Sequence, residues 1–321
     1  MKKILVIITV LTGSIVGLSS YNQEDPIDKE TLGSLLFSDP ILSKDKTVSC
    51  ASCHRPEYAF ADTSAVSIGV GGRTGDRNTP SAMNLLLNTS FFWDGRAKTL
   101  EEQALAPIAN PNEMNLSIDK AIERLKRSKK YRRYFQIVFN NEPSPALLAK
   151  ALASFERTLE TSESPFDNWK FYENDLFITD AAKRGFTIFN EKGKCVKCHF
   201  GADFTTHEFR NIGLFDGLKY NDSGRSKVTG NRTDIGKFKT PGLRNVAITS
   251  PYMHNGMFKT LKEVIDFYNE TEKIVANPFN KDSILRKPLG LTDQEKNDLE
   301  AFLLSITDKR FSKKEFERQN N

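Results

Sequence analysis

Cysteine and histidine are both scarce in this chain. Among its 321 residues there are four of each. Four cysteines are far too few to stabilise a disulfide-rich scaffold of this length. The formal net charge is only +5, from 46 basic and 41 acidic residues, which does not suit a nucleic-acid-binding protein. Any chemistry of the chain that depends on thiols or imidazoles must therefore come from a few positions.

Long apolar runs are also lacking, except at the N-terminus. One run extends from Ile4 to Leu18, with two lysines before it and two serines after it. The run is shorter than the ~20 residues that a membrane-spanning helix needs. A short basic segment, an apolar segment and small residues in this order are typical of a secretory signal peptide. We therefore predict that residues 1–20 are cleaved and that the protein is periplasmic, with an uncleaved membrane anchor as the alternative.

Every cysteine belongs to one of two short motifs, and each motif ends in a histidine. C-x-x-C-H is the attachment signature of a c-type haem. Two thiols at this spacing can form thioethers with the haem vinyl groups, and the histidine supplies a nitrogen to the iron. The sequence thus predicts two covalent c-type haems. Their attachment sites are Cys50, Cys53 and His54 in the first motif and Cys195, Cys198 and His199 in the second.

Three other uses of the cysteine pairs were weighed. A structural zinc site also uses two C-x-x-C pairs, but they are typically about 15–20 residues apart. Here a far longer segment separates Cys53 from Cys195. Thioredoxin-like chemistry needs only one pair, and simple disulfides would leave the two following histidines unexplained. Haem attachment accounts for all of these residues.

The chain repeats a pattern around the two motifs. Gly33 and Phe37 precede the first motif and Gly185 and Phe189 precede the second, each pair on one face of a predicted helix. Each half also ends in a predicted amphipathic helix. Ser144 caps the N-terminus of the first helix, and Thr292 and Glu295 form a capping box at the N-terminus of the second. No useful β alternation is present. We predict a mainly α protein with two haem domains, residues 21–164 and 165–321.

Two haems suit either an electron carrier or an enzyme. A carrier fills both axial positions of each iron with protein ligands, whereas an enzyme leaves one position open for a small molecule. The candidates for a second axial ligand are several tyrosines and His207, His254, Met83, Met114, Met253 and Met257.

A series of short segments resembles the bacterial dihaem cytochrome c peroxidases, a superfamily that also contains the methylamine dehydrogenase maturation enzyme MauG. The resemblance extends in order over nearly the whole mature chain. Its segments are Phe60–Asp62, Ile68–Gly75, Arg77–Ser81, Phe92–Ala97, Leu100–Ala104, Pro107–Met114 and Pro251–Gly256.

The resemblance implies two cytochrome-c-like domains whose haems face a shared interface. It implies an N-terminal haem that reacts with hydrogen peroxide and a C-terminal haem that receives electrons from a small cytochrome c or cupredoxin. The family's peroxidases are often homodimers. Two alternatives remain, a MauG-like oxidase that modifies a protein side chain and a non-catalytic dihaem electron carrier.

The resemblance also implies roles for individual residues. Trp93 matches the tryptophan between the two haems, Glu113 matches the acid of the peroxide pocket, and Pro107 lines that pocket. His254 is expected to hydrogen-bond near a haem propionate. An interdomain calcium ion is expected at Asn78, Thr249 and Pro251, where side-chain and carbonyl oxygens suit a hard cation.

At two positions the chain departs from most peroxidases of the family. Val70 stands where many of them have a histidine that blocks the N-terminal haem until the loop moves. Because valine cannot bind iron, we predict that this haem is open in the resting protein. Tyr268 stands where they usually supply a methionine to the C-terminal haem, and MauG has a tyrosine there. We predict Tyr268 as that ligand, with Met253 or Met257 as alternatives.

Overall fold

The computed structural model describes residues 27–312. The predicted signal peptide lies outside the described residues. Within the described part, no helix is both long and apolar enough to cross a lipid bilayer. The mainly α prediction is confirmed, since the one sheet within residues 27–312 is an antiparallel pair of two-residue strands. These are β1 (Phe209–Arg210) and β2 (Phe238–Lys239).

The α-helices of the described chain vary from one to about three and a half turns. In chain order they are α1 (Lys29–Ser38), α2 (Cys50–Cys53), α3 (Leu100–Ala109), α4 (Ile118–Arg127), α5 (Lys129–Phe139), α6 (Pro145–Glu156), α7 (Pro165–Tyr172), α8 (Asp180–Asn190), α9 (Ser226–Thr229), α10 (Leu261–Asn269) and α11 (Asp293–Ser305).

The first hydrophobic core is built where α1 crosses α6, with α3, α4 and α5 around them. Gly33 makes the crossing possible, because a Cβ atom at this position would overlap the Ala151 carbonyl of α6. Phe37, one turn later, is buried and packs edge-on against Phe155 at 5.2 Å between ring centroids. The glycine–phenylalanine pattern therefore marks a close helix crossing.

The second core repeats this arrangement. Here α8 crosses α11, and a Cβ atom at Gly185 would overlap the Asp298 carbonyl. Phe189 is buried and contacts Phe302 of α11 at 5.0 Å between ring centroids. The two halves thus use the same packing device, although the domain boundary at residues 164/165 stays a prediction.

The predicted helix caps are confirmed. The Ser144 hydroxyl accepts a hydrogen bond from the Leu147 N–H at 3.4 Å. Thr292 and Glu295 exchange the two hydrogen bonds of a capping box, at 2.8 and 3.3 Å. The helix α6 ends at Glu156, and Leu159, three residues later, is still buried.

Irregular segments join the two halves and position both motifs. Arg77, in the segment before α3, is the central link. Its Nε donates to Asp222 at 2.6 Å and its Nη1 donates to Asp94 at 2.7 Å. All three side chains are largely buried, so these charge-assisted bonds fix the loops of one half against those of the other.

Candidate functional site

The first C-x-x-C-H motif folds into a single helical turn, α2. Ser49 begins the turn, and its N–H donates to the Ser52 hydroxyl at 3.0 Å. His54 ends it, and the imidazole Nδ1 donates to the Phe60 carbonyl at 3.0 Å. This bond sets the tautomer of the ring and leaves Nε2 as the nitrogen that can bind a metal. Burial lowers the pKa of His54, which favours the neutral, metal-binding form.

The second motif has the same arrangement. Cys195 and Cys198 lie in a 3₁₀ turn, and the Nδ1 of His199 donates to the Phe204 carbonyl at 2.9 Å. Burial lowers the pKa of His199 to about 4, so this imidazole is neutral at physiological pH. In both halves a phenylalanine carbonyl a few residues after the motif therefore orients the candidate axial histidine.

Each motif opens onto its own cavity. The first cavity has a volume of about 710 Å³ and is lined by Cys50, Cys53 and His54. The second has about 220 Å³ and is lined by Cys195, Cys198 and His199. None of the four cysteines forms a disulfide, and residues 27–312 contain no cluster of three or more metal-ligating side chains such as a zinc site would need. Two thiols and an oriented imidazole on the wall of one cavity fit a c-type haem.

The two cavities share one wall. Trp93 lies on it, together with residues 78–81 and 239–242. The indole Nε1 of Trp93 donates to the Asn78 carbonyl at 2.8 Å, and the Trp93 carbonyl accepts the N–H of Lys239 at 2.8 Å. The indole is therefore fixed on the wall between the two cavities, and the resemblance implies a tryptophan between the two haems.

Glu113 and Pro107 both line the first cavity. Pro107 lies inside α3, and its carbonyl accepts the N–H of Met114 at 3.2 Å, which folds the following loop back onto the helix. The Glu113 carboxylate accepts a hydrogen bond from the Asn110 side-chain amide at 2.7 Å. Burial raises the pKa of Glu113 above its usual range. A carboxyl on the wall of a cavity can take up and return a proton there.

Val70 does not line the first cavity. It is buried, and its N–H donates to the Glu113 carbonyl at 2.8 Å. The preceding Gly69 lies so close to Asn112 and Glu113 that a Cβ atom would overlap their backbone. The glycine-rich loop is thus packed against the segment that carries Glu113. Met83 and Met114, two of the candidate ligands, do line this cavity.

The candidate ligands of the C-terminal haem differ in whether they line the second cavity. Tyr268 and Met253 both line the second cavity, whereas Met257 does not. Burial raises the pKa of Tyr268, and the Cys198 and Cys195 thiols add to this effect. His254 also lines this cavity, where its ring stacks on Phe238 at 3.7 Å between centroids. Burial lowers the pKa of His254 to about 4, so its ring is neutral.

The predicted calcium residues border the same cavity. Asn78, Thr249 and Pro251 all line the second cavity. The Asn78 amide nitrogen donates to the Ser64 and Ala65 carbonyls at 3.2 and 3.3 Å, so its side-chain oxygen is the atom left for a ligand. The oxygens available from these three residues are neutral, which is a weak ligand set for calcium without a carboxylate.

Two buried ionisable residues at the cavities were missed in the sequence. Lys239 lines both cavities, its Nζ donates to the Ser90 carbonyl at 2.9 Å, and burial lowers its pKa to about 8. Glu156 lines the first cavity. The sequence does contain a signal for the burial of Glu156, because Ala149, Ala153 and Glu156 follow one another at helical spacing on one face of α6. Both alanines are buried, so a glutamate next on this face is also buried.

Comparisons with known proteins agree with this geometry. A family model described as di-haem cytochrome c peroxidase matches residues 27–175. The methylamine utilization protein MauG of Methylorubrum extorquens is 41% identical over 287 residues, which cover 87% of this chain and 78% of that protein. Cytochrome c551 peroxidase of Nitrosomonas europaea is 36% identical over 260 residues, covering 80% of this chain and 77% of that protein.

A solved structure is also similar. The crystal structure of a MauG-like protein associated with microbial copper homeostasis has a TM-score of 0.79 at 34% identity, and the match covers 88% of this chain and 90% of that one. The similarity confirms the two-domain, cytochrome-c-like fold and implies two c-type haems, for which both cavities have the required thiols and imidazole. The chain belongs to the dihaem cytochrome c peroxidase and MauG family.

Proposed function

We propose that this protein is a periplasmic peroxidase that reduces hydrogen peroxide to water with electrons from a small cytochrome c or cupredoxin. The observation that carries the proposal is the carboxyl of Glu113 on the wall of the cavity that also holds His54. A proton-carrying group beside a redox cofactor is what peroxide cleavage needs. We also propose that the protein can form homodimers, as many peroxidases of the family do.

His54 and His199 would hold the two haems, which would supply single-electron chemistry when bound. The chain orients the reacting groups and moves a proton between them. Asn110 donates to the Glu113 carboxylate at 2.7 Å and holds it toward the cavity. Glu113 takes a proton from one peroxide oxygen and returns it to the other, which makes the second oxygen a better leaving group. Pro107 closes the same wall with a side chain that has no hydrogen-bonding group of its own.

Electrons are proposed to enter at the second cavity and to reach the first through Trp93. The indole lies on the wall shared by both cavities and is fixed by its bond to Asn78. We keep Tyr268 as the proposed second axial ligand of the C-terminal haem, because it lines the cavity of His199. We keep one calcium ion at Asn78, Thr249 and Pro251 as a proposal that a metal analysis of the purified protein tests.

A second candidate function is MauG-like oxidation of a protein side chain. Tyr268 on the wall of the second cavity favours it, as does the 41% identity with the MauG of Methylorubrum extorquens. A non-catalytic electron carrier is the third candidate. The presence of Glu113, whose carboxyl would have no use in a carrier, favours the two enzymes over it.

The test is peroxide turnover by the matured dihaem protein with a reduced small cytochrome c as donor. We expect Glu113→Gln to lower kcat/KM for peroxide by about 10²–10⁴-fold, the usual contribution of a general acid–base group. Glu123→Gln, on the exposed face of α4, is the matched control and should leave turnover unchanged. A wild-type protein that consumes no peroxide with any reduced donor contradicts the peroxidase, and peroxide-dependent oxidation of a partner protein would then favour the MauG-like function.

A further inference from the structure

Glu156 is a buried acid on the wall of the first cavity to which the mechanism above gives no role. It is the last residue of α6 and is only 6% exposed. Its carboxyl makes no hydrogen bond or ion pair with any of the residues 27–312. The same cavity wall carries Cys50, Cys53 and Glu113. A mostly buried carboxyl without a protein partner costs free energy unless it meets water or a ligand, and the cavity is where Glu156 can do so.

The packing of α6 explains why Glu156 is mostly buried and borders the first cavity. Ala149 and Ala153 precede it on the same helix face and are 3% and 0% exposed. Ala153 packs against Leu100 at the start of α3. The small alanines allow α3 to approach closely, and the longer Glu156 side chain is left at the edge of this contact, where the cavity begins.

The neighbouring charges do not neutralise Glu156. Arg157 is the next residue, but it makes a two-pronged ion pair with Glu101 of α3, at 2.8 and 3.0 Å. The charge of Arg157 lowers the pKa of Glu156, and the charge of Glu101 raises it. The other titratable groups near it are the Cys50 thiol and, across the cavity, Glu113. Burial is the largest influence and raises the pKa of Glu156 to about 8.

A carboxyl in this state carries a proton at neutral pH and can donate it into the cavity. We propose that Glu156 is a second proton donor for the reaction in the first cavity. This inference rests on the proposed peroxidase function. It assigns to Glu156 the supply of an additional proton to the reaction. Glu113 alone does not supply one, because it only moves a proton from one peroxide oxygen to the other.

The reaction itself requires added protons. Reduction of hydrogen peroxide breaks the O–O bond, consumes two electrons from the reduced donor protein and two protons, and gives two water molecules. Glu156 supplies one proton: its O–H bond breaks, and a new O–H bond forms on an oxygen released from peroxide. The second proton comes from solvent. The carboxylate that remains takes its proton back from solvent before the next turnover.

The test compares Glu156→Gln with wild type and with Glu160→Gln. Glutamine keeps the size and polarity of the side chain but cannot release a proton. Glu160 is a matched control, because it is also a partly buried glutamate and lies four residues after Glu156. Unlike Glu156, it accepts a hydrogen bond from Asn84 at 3.1 Å and does not line the cavity. Two quantities are measured on the dihaem proteins. They are the infrared C=O stretch of protonated carboxyls and the second-order rate constant for hydrogen peroxide from pH 5 to 9.

In wild type we expect a protonated-carboxyl band that is absent in Glu156→Gln and present in Glu160→Gln. We expect the rate constant to fall in wild type as pH rises through about 8. In Glu156→Gln it should be at least about tenfold lower at pH 6, and that pH dependence should be lost.

Two results would overturn the inference. One is a Glu156→Gln protein with the wild-type rate constant and pH profile, and the other is a slower variant that keeps the wild-type pH profile, because a structural defect would explain it. Either result leaves the peroxidase proposal intact as long as wild type reacts. A wild-type protein that does not react with peroxide at all overturns both proposals together.

Discussion

The indole N–H of Trp93 donates to the backbone carbonyl of Asn78 at 2.8 Å, and both residues lie on the wall that the two motif cavities share. The bond fixes an aromatic ring between two sites that are far apart in the sequence. The ring of His254 lies edge-on to it at 6.5 Å between centroids. The position of Trp93 is therefore set by contacts from both halves of the chain.

Trp93→Phe should slow electron transfer between the two haems. Phenylalanine fills part of the same space but lacks the indole N–H and is much harder to oxidise. We expect the rate of transfer from the C-terminal to the N-terminal haem to fall at least about tenfold, which is about 1.4 kcal/mol in the barrier. Stopped-flow reduction with the reduced donor measures it. An unchanged rate, with both haem spectra intact, would show that Trp93 only fills the interface.

Tyr268→Phe should change the spectrum and the reduction potential of the C-terminal haem. A phenol oxygen and a thioether sulfur stabilise different oxidation states of iron, so loss of the bound group shifts both properties. Met253→Leu is the matched control, because Met253 lines the same cavity. We expect the low-spin signal of the oxidised protein to change in Tyr268→Phe and to persist in Met253→Leu. The opposite pattern would assign the ligand to Met253.

Glu156→Gln should alter the pH dependence of stability. The pKa of Glu156 is about 8 in the folded chain, against 4.5 for an exposed glutamate. Between these values the folded state binds more protons than the unfolded state, so stability is greatest at low pH and falls as pH rises through 8. The slope reaches about 1.4 kcal/mol per pH unit.

The variant removes this slope. Urea unfolding should therefore show that the stability of Glu156→Gln relative to wild type is higher at pH 8 than at pH 5. The exposed Glu123→Gln should have the same stability relative to wild type at both pH values. An equal difference between Glu156→Gln and wild type at the two pH values would mean that Glu156 is ionised in the folded protein.

Gly185→Ala should destabilise the second half. The new methyl group would overlap the Asp298 carbonyl, so α8 and α11 would have to separate. Overpacking of this kind costs about 1–3 kcal/mol. Thr187→Ala, on the exposed face of α8, is the control and should be within about 0.5 kcal/mol of wild type. Urea unfolding of the holoprotein measures both, and equal stability of Gly185→Ala and wild type would contradict the close crossing.

Local patterns in the sequence predicted much of the structure. The haem motifs, the helix caps and the two glycine–phenylalanine pairs each depend on residues within a few positions of one another, and such spacing translates directly into helix geometry. The positions of Glu113 and Trp93 came from the resemblance to a family. The hydrogen bonds that join Glu113 to the Asn110 amide and Trp93 to the Asn78 carbonyl were not predicted, because such bonds leave no pattern in the sequence.

The features that were missed depend on contacts between distant segments. The shared wall joins residues 78–81 to residues 239–242, and no local signal indicates that pairing. No local signal in the sequence distinguishes Lys239, and its partial burial follows only from the packing of the two halves. Met257 was a reasonable ligand candidate by type, yet it packs in a hydrophobic cluster and does not line the cavity. Such features require the three-dimensional arrangement.

The central claim is that two haems are attached to this chain and that the iron at His54 keeps a position open for peroxide. Electron paramagnetic resonance of the matured, oxidised protein, recorded before and after hydrogen peroxide and without added reductant, tests it most directly. We expect two haems per chain and a high-spin ferric signal that peroxide removes. Material without haem, or two low-spin haems that peroxide leaves unchanged, would contradict it.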